Sequence, residues 1–166
     1  MSEKIERSVA RVVLRVPVVH PKNNQKVGNE VALTMRPGWS NLGRYAYTLP
    51  GGKIETADFA AGIAENITPD QMQSAGIRAA VRELSEELGI TLSHQLLQFV
   101  LCATNESNWT TYVYAADLES KPQLLVLPES AGTLWLPESE LLSGTIPLFA
   151  DHGAFVVAAL QLLSNT

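Results

Sequence analysis

The stretch Arg82-Glu83-Leu84-Ser85-Glu86-Glu87-Leu88-Gly89-Ile90 constrains this chain more than any other. It reads as the last turns of a helix closed by Gly89, the residue that best tolerates the left-handed C′ position. Ile77, Val81, Leu84 and Leu88 step by four, three and four, which makes one apolar stripe. Glu83, Glu86 and Glu87 stand at i, i+3 and i+4, so three carboxylates share another face within about one turn. Arg82 alone is spaced to partner Glu86. Like charges this close weaken a helix, and they also lie near the negative end of its dipole. Something positive must offset that cost. Hard oxygen donors at this spacing suit a divalent cation such as Mg²⁺. The plainer reading of such a run is a solvated acidic face.

Upstream, Thr68-Pro69-Asp70-Gln71 forms a capping box with proline at the first helical position, so a helix is expected from there to Leu88. Further upstream lies Pro50-Gly51-Gly52-Lys53-Ile54-Glu55. Paired glycines let the backbone turn sharply and approach a ligand, although on its own the segment is first of all a turn.

Taken together these residues resemble the Nudix box of the Nudix hydrolases, G-x5-E-x7-R-E-U-x-E-E-x-G-U with U bulky and aliphatic; every position from Arg82 to Ile90 matches. The segment from Pro50 to Glu55 is similar to the approach to the box in MutT-type members. Two departures stand out. Asp58 replaces the first glutamate and is one methylene shorter, and 23 residues separate it from Arg82 where the box has seven, an insertion of sixteen. The insert, around residues 59–71, holds Gly62, Asn66, Thr68 and Pro69. It lengthens the loop and the helix start, leaves the spacing beyond Arg82 intact, and frees Asp58 from the register the motif would impose.

The resemblance implies an α+β chain with the Nudix fold, an α/β/α sandwich around a mixed β-sheet, as a single domain over residues 1–166. It implies hydrolysis of a phosphoanhydride in a nucleoside diphosphate linked to another moiety (a nucleoside triphosphate, a dinucleotide or a nucleotide sugar), with Mg²⁺ or Mn²⁺. The implied metal ligands are Glu83, Glu86, Glu87, the carbonyl of Gly52, and Glu129, which lies six residues before Trp135 as a fourth metal-associated glutamate does in MutT-type proteins. Either Glu83 or Glu129 is the general base, and Arg82 orients the carboxylates. Gly51, Asp58 and Gly89 are expected to be structural. For substrate, Arg36 and Arg44 could clamp phosphate bidentately, Trp109 could stack a nucleobase, and Asp151 stands where MutT-type members carry a base-reading Asn. Each has a plainer reading: exposed arginines, a ring packed at a sheet end, and a helix N-cap. Asn105 stands where ADP-ribose hydrolases of the family carry a proline. The rival from another class is a non-catalytic nucleotide-binding or sensor module, which retention of the three glutamates disfavours.

Composition agrees. A hydrophobic fraction of 46% is enough for a core, and a net charge of −5 argues against nucleic acid or an anionic membrane as partner. Cys102 is the sole cysteine, which excludes an intrachain disulfide, and its apolar neighbours suggest a buried strand. The start of the chain lacks the apolar stretch of a secretory signal, so a cytoplasmic protein is expected, with homodimerisation left open. Strands are expected at residues 8–19, 30–36, 45–49, 96–103 and 110–118, with a short one within 119–127. A short helix or turn should follow at 137–142 and a helix at 154–163. His20 and His152 both read as surface residues.

Overall fold

A computed structural model describes residues 3–38, 40, 45–59, 67–125 and 131–165. A short helix α1 (Glu3–Glu6) leads into β1 (Ser8–Val19), then β2 (Lys26–Met35) and β3 (Tyr47–Thr48). The long helix α2 (Pro69–Leu88) follows, then β4 (Gln98–Thr104), β5 (Thr110–Asp117), β6 (Gly132–Pro137), α3 (Glu138–Leu142) and α4 (His152–Ser164). The strands form one mixed sheet in the order β3-β2-β1-β5-β4, with β6 paired to β2. β1 runs parallel to β5 and antiparallel to β2.

β1 is central and largely buried on both faces, which is why seven of its twelve residues are Val or Leu. Ala10, Val12 and Leu14 face α2 with Tyr112 and Tyr114, while Val13 faces α4 with Val113 and Ala115. Helices therefore cover both faces of the sheet, as an α/β/α sandwich requires. Among the described residues no helix is long and apolar enough to cross a membrane.

α2 carries the box, and its ends follow the local chemistry. Thr68 Oγ1 accepts from Gln71 N–H at 3.2 Å, and Gln71 Oε1 accepts from Thr68 N–H at 2.8 Å. Gly89 has φ 69°, and Gly89 N–H and Ile90 N–H close on the carbonyls of Ser85 and Leu84, both at 3.1 Å. Leu84 and Leu88 are fully buried, each contributing about 1.5–3 kcal/mol of apolar burial. Ala75, Gly76, Ala79 and Ala80 present a small-residue face that lets the helix settle close on the sheet. A Cβ on Gly76 would lie 2.3 Å from the Tyr114 hydroxyl, which donates to Gln73 O at 2.7 Å.

Several expectations need correcting. The second strand starts earlier, at Lys26, and the third is only Tyr47–Thr48, because Tyr45 adopts φ 57° and cannot extend it. Leu96 lies in a 3-10 turn before β4, and the described part of 119–127 holds no strand. Cys102 is exposed, because β4 is an edge strand and α2 lies over β1 and β5. His152 is buried, 6% exposed, where α4 meets the end of β3. The middle of the insert, residues 60–66, lies outside the described residues.

Candidate active site

The glycine segment is held antiparallel along β1 by backbone hydrogen bonds, with one bridge between Val9 and Lys53. Val12 N–H donates to Pro50 O at 3.0 Å, Ala10 N–H to Gly52 O at 2.8 Å, and Ile54 N–H to Ser8 O at 2.9 Å. Glycine matters at two positions here, for different reasons. Gly51 has φ 129°, and a Cβ there would lie 2.1 Å from the Ala10 carbonyl oxygen. At Gly52 a Cβ would fall 2.2 Å from Glu83 Oε1, so the carboxylate rests directly on loop backbone.

Arg82 is the hub. Its Nη1 donates to Glu83 Oε1 at 2.9 Å and Glu86 Oε2 at 3.1 Å. Its Nη2 donates to Lys53 O at 2.9 Å and Asp58 Oδ2 at 3.2 Å. One guanidinium thus ties the helix carboxylates to the glycine segment and to Asp58. Burial works against its charge, but hydrogen bonds and charge from Asp58 and Glu83 outweigh that and hold its pKa above the ordinary value. Asp58 is 4% exposed; its carboxylate also accepts from Glu55 N–H at 2.8 Å, and Arg78 Nε donates to its backbone carbonyl. Despite the insertion, then, Asp58 stands beside Arg82 by closing a 3-10 turn, Thr56–Asp58, that packs on α2.

The three glutamates differ. Glu83 is largely buried, and burial pushes its carboxyl pKa up; Arg82 pulls it back, and the nearby Glu86 charge adds to the rise. Glu86 is the exposed member, its side chain 53% accessible. Glu87 turns to the loop, where its Oε2 accepts from Gly51 N–H at 2.8 Å.

Sequence reasoning passed over Arg11. Its Nη1 donates to the carbonyls of Gly51 and Leu49, its Nε is buried without a hydrogen-bond partner among the described residues, and the charges of Glu87 and Glu83 oppose the loss of basicity that burial causes. The signal was available: a charge inside a central apolar strand needs a partner. Arg15, next on the same face of β1, has one in Asp117, with paired bonds of 2.7 and 2.8 Å.

The expected substrate residues fall in two places. The Arg36 guanidinium lies 4.4 Å from the Phe149 ring centroid, which brings it to the loop carrying Asp151, and its Nη2 donates to Ser40 Oγ at 2.8 Å. Asp151 occupies the N-cap position of α4 without a side-chain cap bond. Trp109 instead lines a cavity whose lining includes none of these residues. Arg44 and Glu129 lie outside the described residues.

A hard divalent cation fits this donor chemistry, since Glu83 and Glu86 already converge on one positive group. Among the described residues, no three Asp, Glu, His or Cys side chains stand close enough to share an ion as they are placed. Mg²⁺ is commonly held by one or two carboxylates, with water and phosphate oxygens completing its shell.

A model of the NUDIX domain family matches residues 13–157, so the chain belongs to the Nudix family. The box from Arg82 to Ile90 is intact at every position. Solved structures agree on the fold. A MutT/nudix family protein from Enterococcus faecalis aligns with TM-score 0.68 at 16% identity, covering 96% of this chain and 62% of that one. The NUDIX domain of Shewanella oneidensis NrtR, complexed with ADP ribose, gives 0.65 at 17% identity, covering 94% of this chain and 87% of that one. A C. elegans Ap4A hydrolase gives 0.62 at 16% identity, covering 95% and 99%. This chain spans less than two thirds of the Enterococcus protein. No curated protein matches the sequence.

Proposed function

We propose that the chain hydrolyses a phosphoanhydride in a small nucleotide, a nucleoside diphosphate linked to another moiety, with Mg²⁺ or Mn²⁺, in the cytoplasm. The observation that carries this reading is the Arg82 hub, which gathers Glu83, Glu86, Asp58 and the Lys53 carbonyl against a glycine segment that itself holds Glu87. Glu83, Glu86 and Glu87, with the Gly52 carbonyl and Glu129, would hold the ion. When bound, such an ion neutralises diphosphate charge and acidifies water.

The chain's own residues do the rest. Glu83, raised in pKa by burial, accepts the proton as water oxygen bonds to phosphorus and the anhydride oxygen leaves with the other phosphate. Arg82 keeps Glu83 in place through a 2.9 Å bond and stays protonated throughout. Arg11 fixes the carbonyls of the glycine segment from below. Arg36, and by expectation Arg44, meet the phosphates, and Asp151 lies near the base.

The rival, a non-catalytic nucleotide-binding module, draws on the lack of a ready three-carboxylate cluster among the described residues. Phosphate release from a panel of nucleoside triphosphates, dinucleotides and nucleotide sugars, with and without Mg²⁺, separates the two. Metal-dependent release from at least one substrate is expected. No release from any of them overturns the hydrolytic reading.

A further inference from the structure

β2 pairs with β1 over Arg15–Val19, and the glycine segment takes the adjoining place beside Ser8–Val12. Its carbonyls have two kinds of partner. Those of Pro50 and Gly52 accept from the β1 amides of Val12 and Ala10, at 3.0 and 2.8 Å. The intervening carbonyl of Gly51 and the preceding one of Leu49 both accept from Arg11 Nη1. Four consecutive carbonyls are thus fixed, two by backbone and two by one side chain. Gly51, at φ 129°, has no Cβ to restrict its rotation, so the clamp on its carbonyl decides where its peptide points.

Two box carboxylates are seated on this segment. Glu87 Oε2 accepts from Gly51 N–H at 2.8 Å, and Glu83 rests against Gly52. Arg82, on α2, gathers Glu83 and Glu86. Glu87 takes its place from Gly51, and Gly51 takes its place from Arg11. The charge balance follows the same route. Arg11 is half-buried, and Glu87 first, then Glu83, offset what burial costs its charge. Arg15, on the same face of β1, is balanced instead by Asp117, remote from the box in sequence and bonded to it directly.

We propose that Arg11 is a positioning residue for the metal site: by clamping the Leu49 and Gly51 carbonyls it holds the Gly51 amide that seats Glu87, and so sets the affinity of the box for a divalent cation. This role rests on the metal site of the hydrolytic reading. Removing a group that orients a metal-binding side chain weakens the metal by about 10–100-fold, and Arg11 acts at one remove, so about tenfold is expected. A counter-charge alone predicts the opposite sign, because a cation near the carboxylates repels a second one.

The test is titration of Mn²⁺, without nucleotide, read by the electron paramagnetic resonance of the free ion. The proteins are the parent, Arg11→Met, Arg11→Lys, Glu87→Gln, and the double variants of each Arg11 change with Glu87→Gln. Arg11→Met keeps the length but not the donors or the charge, and should bind Mn²⁺ about tenfold more weakly. Arg11→Lys, whose ammonium can donate to both carbonyls, should recover part of that loss. With Glu87→Gln already present, adding Arg11→Met should weaken Mn²⁺ by less than about twofold, the margin within which independent effects add. Circular dichroism and melting temperature identify the folded variants; if Arg11→Met does not fold, Arg11→Lys, alone and with Glu87→Gln, carries the same comparison. Mn²⁺ affinity in the folded Arg11 variants equal to or tighter than the parent's overturns the proposal. So does the same loss in the Glu87→Gln background, which marks a general loosening rather than an action through Glu87. Metal-dependent hydrolysis that persists alongside either result leaves the hydrolytic reading standing. A parent that binds no Mn²⁺ at millimolar concentration overturns both.

Discussion

Substituting His152 with Asn should flatten the pH dependence of stability. His152 Nδ1 accepts from Leu49 N–H at 2.9 Å, so the ring proton sits on Nε2, and Thr48 Oγ1 lies 2.9 Å from the same nitrogen. Burial, then the charges of Arg11 and Arg36, push its pKa down from 6.5 to about 3. The unfolded chain therefore takes up a proton that the folded chain refuses over this interval. The stability that the neutral ring contributes is fully present above pH 6.5 and is lost as pH falls from 6.5 toward about 3. Between pH 8 and pH 5 the difference is about 1.5 log units, or ~2 kcal/mol at 1.36 kcal/mol per unit. For a domain of this size that is about 4–8 °C in Tm. His152→Asn keeps an acceptor for Leu49 N–H and does not titrate. Urea unfolding of both proteins at the two pH values is the assay. The parent should lose about 2 kcal/mol more than the variant on acidification. Equal losses would refute the argument that a buried, neutral His152 braces the junction of β3 and the glycine segment.

Three further outcomes are expected. Mg²⁺ should raise the melting temperature of the parent, by about 2.7 kcal/mol of stability at a hundredfold excess over Kd, and less in Glu86→Gln and Glu87→Gln; differential scanning fluorimetry with and without metal reads this, and no shift in any of the three counts against a site here. Asp58→Ala should cost about 3 kcal/mol by chemical denaturation, the low end for breaking a buried ion pair because Arg82 keeps a quarter of its side chain in solvent and retains Glu83 and Glu86. Gly76→Ala should destabilise rather than gain helix propensity, since its Cβ meets the Tyr114 hydroxyl at 2.3 Å; adding Tyr114→Phe should recover much of the loss, and additive effects in the double-mutant cycle would contradict the clash.

How much was legible in the sequence depends on the range of the interaction. The limits of α2 could be read because capping is local: Thr68, Pro69, Gln71 and Gly89 each act on backbone within one turn. β1 was equally clear, since its Val and Leu residues mark a strand with both faces packed, Arg11 and Arg15 apart. His152 was misjudged because its partners, Thr48 and Leu49, lie more than a hundred residues away. Cys102 was misjudged because its neighbours are as apolar as a core strand's, whereas β4 stands at the sheet edge beyond the reach of α2. The box carboxylates were legible as a set, but not their division of labour: Glu83 and Glu86 on Arg82, Glu87 on Gly51. Nor could spacing show that Asp58 stays with Arg82 across the insertion. That depends on a 3-10 turn whose hydrogen bonds close within Glu55 to Asp58.

The central claim is that the partly buried Glu83 carboxylate, held by Arg82, takes the proton from water. Turnover of the parent, Glu83→Gln and Glu129→Gln across an Mg²⁺ titration, on whichever nucleotide the panel identifies, tests it most directly. A general base contributes about 10²–10⁴-fold, so Glu83→Gln should stay at least two orders of magnitude below the parent even at saturating metal, while Glu129→Gln should be milder and partly restored by more Mg²⁺. If excess metal rescues Glu83→Gln and Glu129→Gln is crippled at every concentration, the base is Glu129 and this assignment is wrong.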